Sequence, residues 1–402
     1  MQNEKAQWAK QHHFGLILLL GALTTISPFS IDMYLPAFHQ IADALGSTQE
    51  RVALSLSSYF IGLAVGQLIY GPFLDRFGRK PPLIFGLSIY ILACFACLLS
   101  WNVEALIAFR LLQALGGCVA GVAAVAMVRD FFPLSEGARV FSKLMLVLSV
   151  SPLFAPTVGS FVVTAWGWQS VFLFLAGIVA LILACVIFLL PEGHRADPSI
   201  SLSPPAIARN FGQILSHPRF RRFAGSAAFS FSGLFIYVAG SPAIFMGKFG
   251  LDARQFGLVF ALLSVGIIGG GQFNNYFLKH YSGEKIYRTA IVSQLIVALI
   301  FALGAAFDLY GLVAHIVLIF LFLACAGLTY PNAASNALAP FEKNSGSASS
   351  VLGCLQMSVG AIGAAGFGFL NLPANVGVSS LMAAGTFIGC LIFFFGGKRA
   401  ET

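Results

Sequence analysis

The chain has 402 residues, 23 Lys and Arg against 15 Asp and Glu, and a formal net charge of +8, yet only 9% of its side chains are charged, against roughly a quarter in soluble domains. With 58% hydrophobic residues, 40 Phe and 42 Gly, it cannot cover a water-exposed surface, and it lacks the charge, Gly period or Cys density of disordered, collagenous or disulfide-stapled chains. The cations sit in short connectors rather than in a stripe with interleaved aromatics, which argues against a nucleic-acid partner.

Taken in chain order, the apolar runs fall at residues 14–38, 52–72, 81–101, 105–128, 141–164, 169–190, 220–246, 255–278, 287–307, 311–333, 347–371 and 376–397. Each is long enough to cross a hydrocarbon core of about 30 Å as a helix. The first follows a polar stretch with Lys5 and Lys10, has no small-residue cleavage site and exceeds a signal-peptide core, so it is expected to stay as a helix. Twelve crossings put both termini on one side. With that side inside, 19 of the 23 cations lie in inner segments, only Arg51, Lys248 and Arg254 lie outside, and Arg110 lies within a run. The positive-inside rule therefore places both termini in the cytoplasm.

The longest connector begins Pro191-Glu192-Gly193 and contains Ser203-Pro204-Pro205, turn chemistry that separates six runs from six. The expected division is 1–190, an N-terminal six-helix bundle, 191–219, a linker, and 220–402, a C-terminal six-helix bundle. Ile207, Phe211, Ile214 and Leu215 share one helical face of the linker, which predicts a short amphipathic helix on the membrane surface. Gly66, Gln67, Gly78 and Lys80 recur 205 positions later as Gly271, Gln272, Gly283 and Lys285, so the halves read as a parallel duplication. The fold class is all-α, with two pseudo-symmetric bundles of six membrane helices.

After the second run comes GPFLDRFGRK, residues 71–80. Gly71 permits close helix approach, Gly78 a tight turn, and Asp75 sits among Arg76, Arg79 and Lys80, where ion pairs can form or break as the halves rock. This segment resembles the major facilitator superfamily pattern G-x-x-x-D-R-x-G-R-K, matched by Gly71, Asp75, Arg76, Gly78, Arg79 and Lys80. The second-half copy is degenerate, with His280 and Glu284 in the places of Asp75 and Arg79.

Further residues resemble the drug:proton antiporters, in particular the bicyclomycin-resistance (Bcr/CflA) branch. They are Asp32-Met33-Tyr34-Leu35-Pro36, Arg110-Leu111-Leu112-Gln113-Ala114, Val128-Arg129-Asp130, Ala155-Pro156-Thr157-Val158-Gly159, Trp168-Gln169-Ser170-Val171-Phe172, Pro331-Asn332, Asn336-Ala337-Leu338-Ala339 and Gly346-Ser347-Ala348-Ser349. The resemblance implies a monomeric transporter of the bacterial inner membrane that exports drug-like molecules in exchange for protons by alternating access.

Asp32 and Arg110 are the ionisable residues placed inside the hydrocarbon region, each about 9 Å from the outer boundary at 1.5 Å per residue. A charge there costs ~2.5–3.5 kcal/mol and faces a cavity or a partner. Asp32 is expected to exchange a proton, Arg110 to couple to it or bond Gln113, and direct pairing of the two is an open hypothesis. Pro152, Pro156 and Gly159 are the expected hinge or seal of the fifth run, and Gly116, Gly117 and Gly121 offer small packing faces in the fourth. Candidates for the substrate cavity are Tyr34, Tyr59, Gln113, Phe154, Phe231, Tyr237, Asn332, Asn336 and Gln356. His315 reads as an interior histidine, and the seven cysteines, Cys94-x-x-Cys97 among them, as reduced interior thiols. No Walker loop or metal motif is present, so no cofactor, metal or ATP is expected and the chain does not read as an enzyme. The alternatives are a proton-linked uptake permease for a nutrient and a membrane enzyme acting on lipids, for which no catalytic cluster is visible.

Overall fold

A computed structural model of the chain describes residues 13–132, 134–192, 197, 204–341, 345–370 and 372–396. Every regular element among them is helical, and twelve helices are long and apolar enough to span a membrane. Helix 1 comprises His13–Asp32, a tight turn Leu35–Ala37 and Phe38–Ala44. Helices 2 to 6 are Gln49–Phe77, Lys80–Leu98, Val103–Phe131, Leu134–Trp166 and Gln169–Leu189. A linker helix, Pro204–Ser216, leads to helix 7, Pro218–Pro242, which continues as a wide turn over Ala243–Lys248. Helices 8 to 12 are Ala253–Phe277, Gly283–Ala306, Leu312–Leu338, Ser345–Phe369 and Ala374–Phe395.

Local sequence explains where the helices begin and end. Thr48, Asn102 and Ser282 accept the N–H of Arg51, Ala105 and Lys285 at the starts of helices 2, 4 and 9. Asp252 and Gln255 cap each other's backbone at the start of helix 8. Gly78 ends helix 2 at φ 86°, a conformation a side chain would strain.

Helix 1 departs from a single straight run. Pro36 has no N–H to offer the carbonyl four residues back, which belongs to Asp32, and its ring crowds that position. The regular helix therefore stops at Asp32, and a new axis carries the chain on to Ala44. Helix 7 behaves similarly near Pro242, where it widens. Helix 5 departs in the other sense: it starts at Leu134 and runs unbroken past Pro152 and Pro156, each proline removing one hydrogen bond from a long helix.

Within the first half, helix 4 packs along helices 2 and 3. A Cβ on Gly116 would lie 2.5 Å from the Tyr90 backbone nitrogen and one on Gly117 2.9 Å from the Tyr90 ring, whereas Gly121 faces open space. The halves meet along two seams, helix 2 on helix 11 and helix 5 on helix 8. The first runs from Leu54 against Gly368 to Gln67 against Gly353, and the second joins Pro156 and Thr157 to Gly257. Outward faces carry large apolar side chains such as Phe188, 82% exposed, as suits a surface solvated by lipid.

The linker helix packs on the second half: its Ile214 is buried among Phe220, Phe223, Val351 and Leu352 with Phe211 packed alongside. The chain ends, with Lys5, Lys10, Lys398 and Arg399, and most of the connector 193–203 lie outside the described residues.

Candidate functional site

The break in helix 1 leaves Asp32 at a helix terminus inside the bundle, 5% exposed. Gly159 of helix 5 packs onto the next residue so closely that a Cβ there would lie 2.3 Å from the Met33 carbonyl oxygen. The following turn, Leu35 to Phe38, is fully buried and touches helices 7 and 8. Helix 7, which that turn contacts, carries the buried Tyr237. Tyr237 lies 205 positions after Asp32, while the Pro36-Ala37 and Pro242-Ala243 pairs of the same two helices stand 206 apart. Its ring stacks on Phe260, with centroids 5.6 Å apart, and its buried hydroxyl has no hydrogen-bond partner among the described residues. Asp32 likewise makes no ion pair among them.

Arg110 is fully buried and lies between two aromatic faces, its guanidinium carbon 4.5 Å from the Tyr34 ring centroid and 4.3 Å from that of Tyr59. Nη1 donates to Gln113 Oε1 at 2.6 Å and Nη2 to the Ser30 carbonyl at 3.0 Å, while Nε has no hydrogen-bond partner among the described residues. Gln113 donates onward to Cys94 Sγ at 3.0 Å. Tyr34 bonds Ser55 at 2.8 Å, and the Ser30 hydroxyl bonds Tyr90 at 2.5 Å. With no counter-ion among the described residues, the buried cation is thus held by π faces and dipoles, which favours Arg over Lys because the planar guanidinium stacks and forks at once. Asp32 and Arg110 form no direct ion pair. Arg110 reaches instead to the backbone of Ser30, two residues earlier on helix 1.

The remaining cavity candidates separate by place. Phe60 packs edge-on to Phe235 across the interface at 4.8 Å, and Phe231 lies against Tyr330 at 4.9 Å. Tyr330 keeps 38% of its surface accessible. Gln356 of helix 11 is buried, and its Nε2 has no hydrogen-bond partner among the described residues. Phe154 is 59% exposed and, seven residues before Phe161, shares its stripe of helix 5. Asn332 and Asn336 lie in the last turns of helix 10, where Asn332 donates to Asn274 at 2.5 Å and Asn336 accepts from Arg219 at 2.9 Å. Both serve the end of the second half that carries residues 279–288. Reading the sequence alone passed over Tyr330, Tyr90 and Ser30, which nothing distinguishes from the many other aromatic and hydroxyl residues in apolar runs.

At the basic end, the segment 71–80 forms a lock within the first half. Arg79 donates to Asp75 at 2.6 Å and to Asp130 of helix 4 at 2.8 Å. Burial disfavours the Arg79 charge, but hydrogen bonds and attraction from Asp130 and Asp75 outweigh it and move its pKa up. Glu192, just past helix 6, accepts the backbone N–H of Arg79 at 2.6 Å and of Lys80 at 3.2 Å. Lys80 returns the contact by donating to the Ile187 and Leu190 carbonyls. His315, 205 positions after Arg110, bonds the Gly311 carbonyl through Nδ1 at 3.0 Å and is ringed by Phe249 and Phe301.

These features, two six-helix halves, a basic lock after helix 2 and paired seams, coincide with a match of residues 20–364 to the Major Facilitator Superfamily. The chain belongs to that superfamily. It is 31% identical over 382 residues to the bicyclomycin resistance protein homolog of Haemophilus influenzae, covering 95% of this chain and 96% of that one. It is 30% identical to the multidrug resistance protein MdtL of Escherichia coli, covering 92% and 91%. These relatives place it with the bicyclomycin-resistance branch. Among solved structures, a D-xylose-proton symporter superposes with a TM-score of 0.77 over 96% of this chain and 98% of that one, at 12% identity, a likeness of fold alone. The chain is therefore a multi-pass membrane transporter of the superfamily, acting on a small molecule.

Proposed function

We propose that the chain exports drug-like amphipathic molecules from a bacterial cell in exchange for protons, with both termini in the cytoplasm. The observation that carries this reading is Asp32: a buried carboxylate at a break in helix 1, with no ion pair among the described residues, just before the turn that meets helices 7 and 8 of the other half. An ion-paired carboxylate would stay charged throughout a cycle. An unpaired one in low dielectric favours a neutral form and ionises when water or a cation reaches it. With the site open outward, Asp32 takes a proton and cargo leaves. With the site open inward, it releases the proton and new cargo enters, with Phe231, Tyr330 and Gln356 as the proposed cargo contacts. Arg110, stacked between Tyr34 and Tyr59, supports the helix 1 segment that carries Asp32 through its bond to Ser30, so a change at one is felt at the other.

The distribution of 19 of 23 cations on one side supports the orientation. The proton gradient supplies the energy, and no cofactor enters the cycle. A susceptibility panel in a pump-deleted bacterium tests the reading. Expression of the chain should raise resistance to at least one amphipathic drug, and Asp32→Asn should abolish that resistance at equal membrane abundance. Greater sensitivity on expression, with inward accumulation, would point to the uptake permease instead.

A further inference from the structure

Gln356 is 4% exposed, and its Nε2 has no hydrogen-bond partner among the described residues. An amide N–H that has given up water and gained no acceptor keeps the full cost of its desolvation. Neighbouring glycines of helix 11 fix the direction of the side chain. A Cβ on Gly360 would lie 2.4 Å from the Phe235 ring and one on Gly363 2.8 Å from Ile236, both residues of helix 7. Gln356 precedes these glycines by four and seven residues, so it shares their stripe and faces helix 7. Farther along, a Cβ on Gly240 of helix 7 would lie 3.6 Å from the Phe367 ring of helix 11, so the two helices run in the same direction. One turn back from the contact of Gly360 with Phe235, Gln356 is therefore level with Phe231.

The Phe231 ring lies on Tyr330 of helix 10, with centroids 4.9 Å apart and planes inclined by 32°. Protein surrounds Tyr330 on nearly every side, yet 38% of its surface stays accessible, so its free face looks onto space inside the bundle rather than onto lipid. Helices 7, 10 and 11 thus bring together a pair of rings with an open face and one desolvated donor. A flat molecule stacked on the rings satisfies that donor only if it carries an acceptor.

We propose that Gln356 determines which cargo the chain accepts, by donating Nε2–H to an acceptor oxygen such as a ring carbonyl on a planar aromatic molecule stacked against Phe231 and Tyr330. This rests on the transport reading for the existence of a cargo, but it concerns recognition alone and holds for either direction of movement. A planar molecule without the acceptor leaves the buried amide unpaired, and a site built to hydrogen-bond its ligand rejects such an analogue. One neutral hydrogen bond corresponds to about fivefold in affinity.

Fluorenone and fluorene, matched flat tricycles with and without a ring carbonyl, are the probes. Equilibrium dialysis against the full chain in lipid nanodiscs, corrected for uptake by nanodiscs of lipid alone, measures the binding of each. The chain should bind fluorenone about fivefold more tightly than fluorene. Gln356→Leu and Gln356→Met keep the bulk and lose the donor, and each should bring the two compounds within about twofold of one another by weakening fluorenone alone. Phe231→Ala should weaken both alike, because it removes the stacking face. Equal binding of the two compounds by the wild-type chain, binding of neither above lipid alone, or a preference that survives in a folded Gln356 variant would overturn the assignment. If one Gln356 variant does not fold, the other decides. No gain of resistance in the susceptibility panel while the fluorenone preference holds would overturn export and leave this site standing; export without the preference would overturn this site alone.

Discussion

Gly159 shows how little room the site leaves. With a Cβ placed 2.3 Å from the Met33 carbonyl oxygen, Gly159→Ala must push helix 5 off helix 1 beside Asp32. The expected cost is about 1–3 kcal/mol, read as a lower unfolding temperature in detergent together with reduced transport. Arg110→Lys keeps the charge but gives up the stacking between Tyr34 and Tyr59 and the fork to Gln113 and Ser30. About 2 kcal/mol of stability should be lost with it, and Arg110→Gln, which strands no charge, should cost no more than Arg110→Lys. Asp32 and Arg110 were legible in the sequence because a charge inside an apolar run has no innocent place to go. Their separation was not: which atom of helix 1 Arg110 meets depends on rotation of two helices about their axes, and spacing carries no such information. Tyr237 was picked out only as one aromatic among many.

Among the elements, the lock after helix 2 couples helices 2, 3, 4 and 6. Arg79 and Asp130 are 8% and 12% exposed, so Arg79→Ala leaves Asp130 as a buried charge without its partner. Roughly 3 kcal/mol should be lost, and Asp130→Asn in the same background should recover part of it, a double-mutant comparison by thermal unfolding. Glu192→Gln weakens the cap on helix 3 and should cost about 1 kcal/mol. The sequence pointed to the lock through Gly71, Asp75, Arg79 and Lys80, but Glu192 stands 113 residues away from Arg79 and had been visible only as part of a turn. The break in helix 1 was half legible: Pro36 signals one, but the second short helix to Ala44 contains His39, Gln40 and Asp43, polar enough to read as a loop. Helix 5 misled in the opposite way, since two prolines four apart remove two hydrogen bonds from a ladder of 33 residues without ending it.

For the molecule as a whole, the twelve spans and their division into halves were legible because a bilayer demands length and apolarity that no other environment does. How the halves meet was not, since Gly257, Gly353 and Gly368 resemble any other small residues until Thr157, Gln67 and Leu54 are seen against them. If the halves rock about the seam between helices 2 and 11, Leu54→Cys with Gly368→Cys, bridged by a short bifunctional reagent in a chain without its own cysteines, should stop transport, and cleaving the bridge should restore it.

The exchange at Asp32 is tested most directly in proteoliposomes, by following both an amphipathic drug that the chain exports and the internal pH after a proton gradient is imposed. The wild-type chain should move drug against its gradient while protons run down theirs, and Asp32→Asn should move neither against a gradient while inserting and folding normally. Drug accumulation and proton flux by Asp32→Asn at the wild-type rate would contradict a proton-carrying role for that carboxylate.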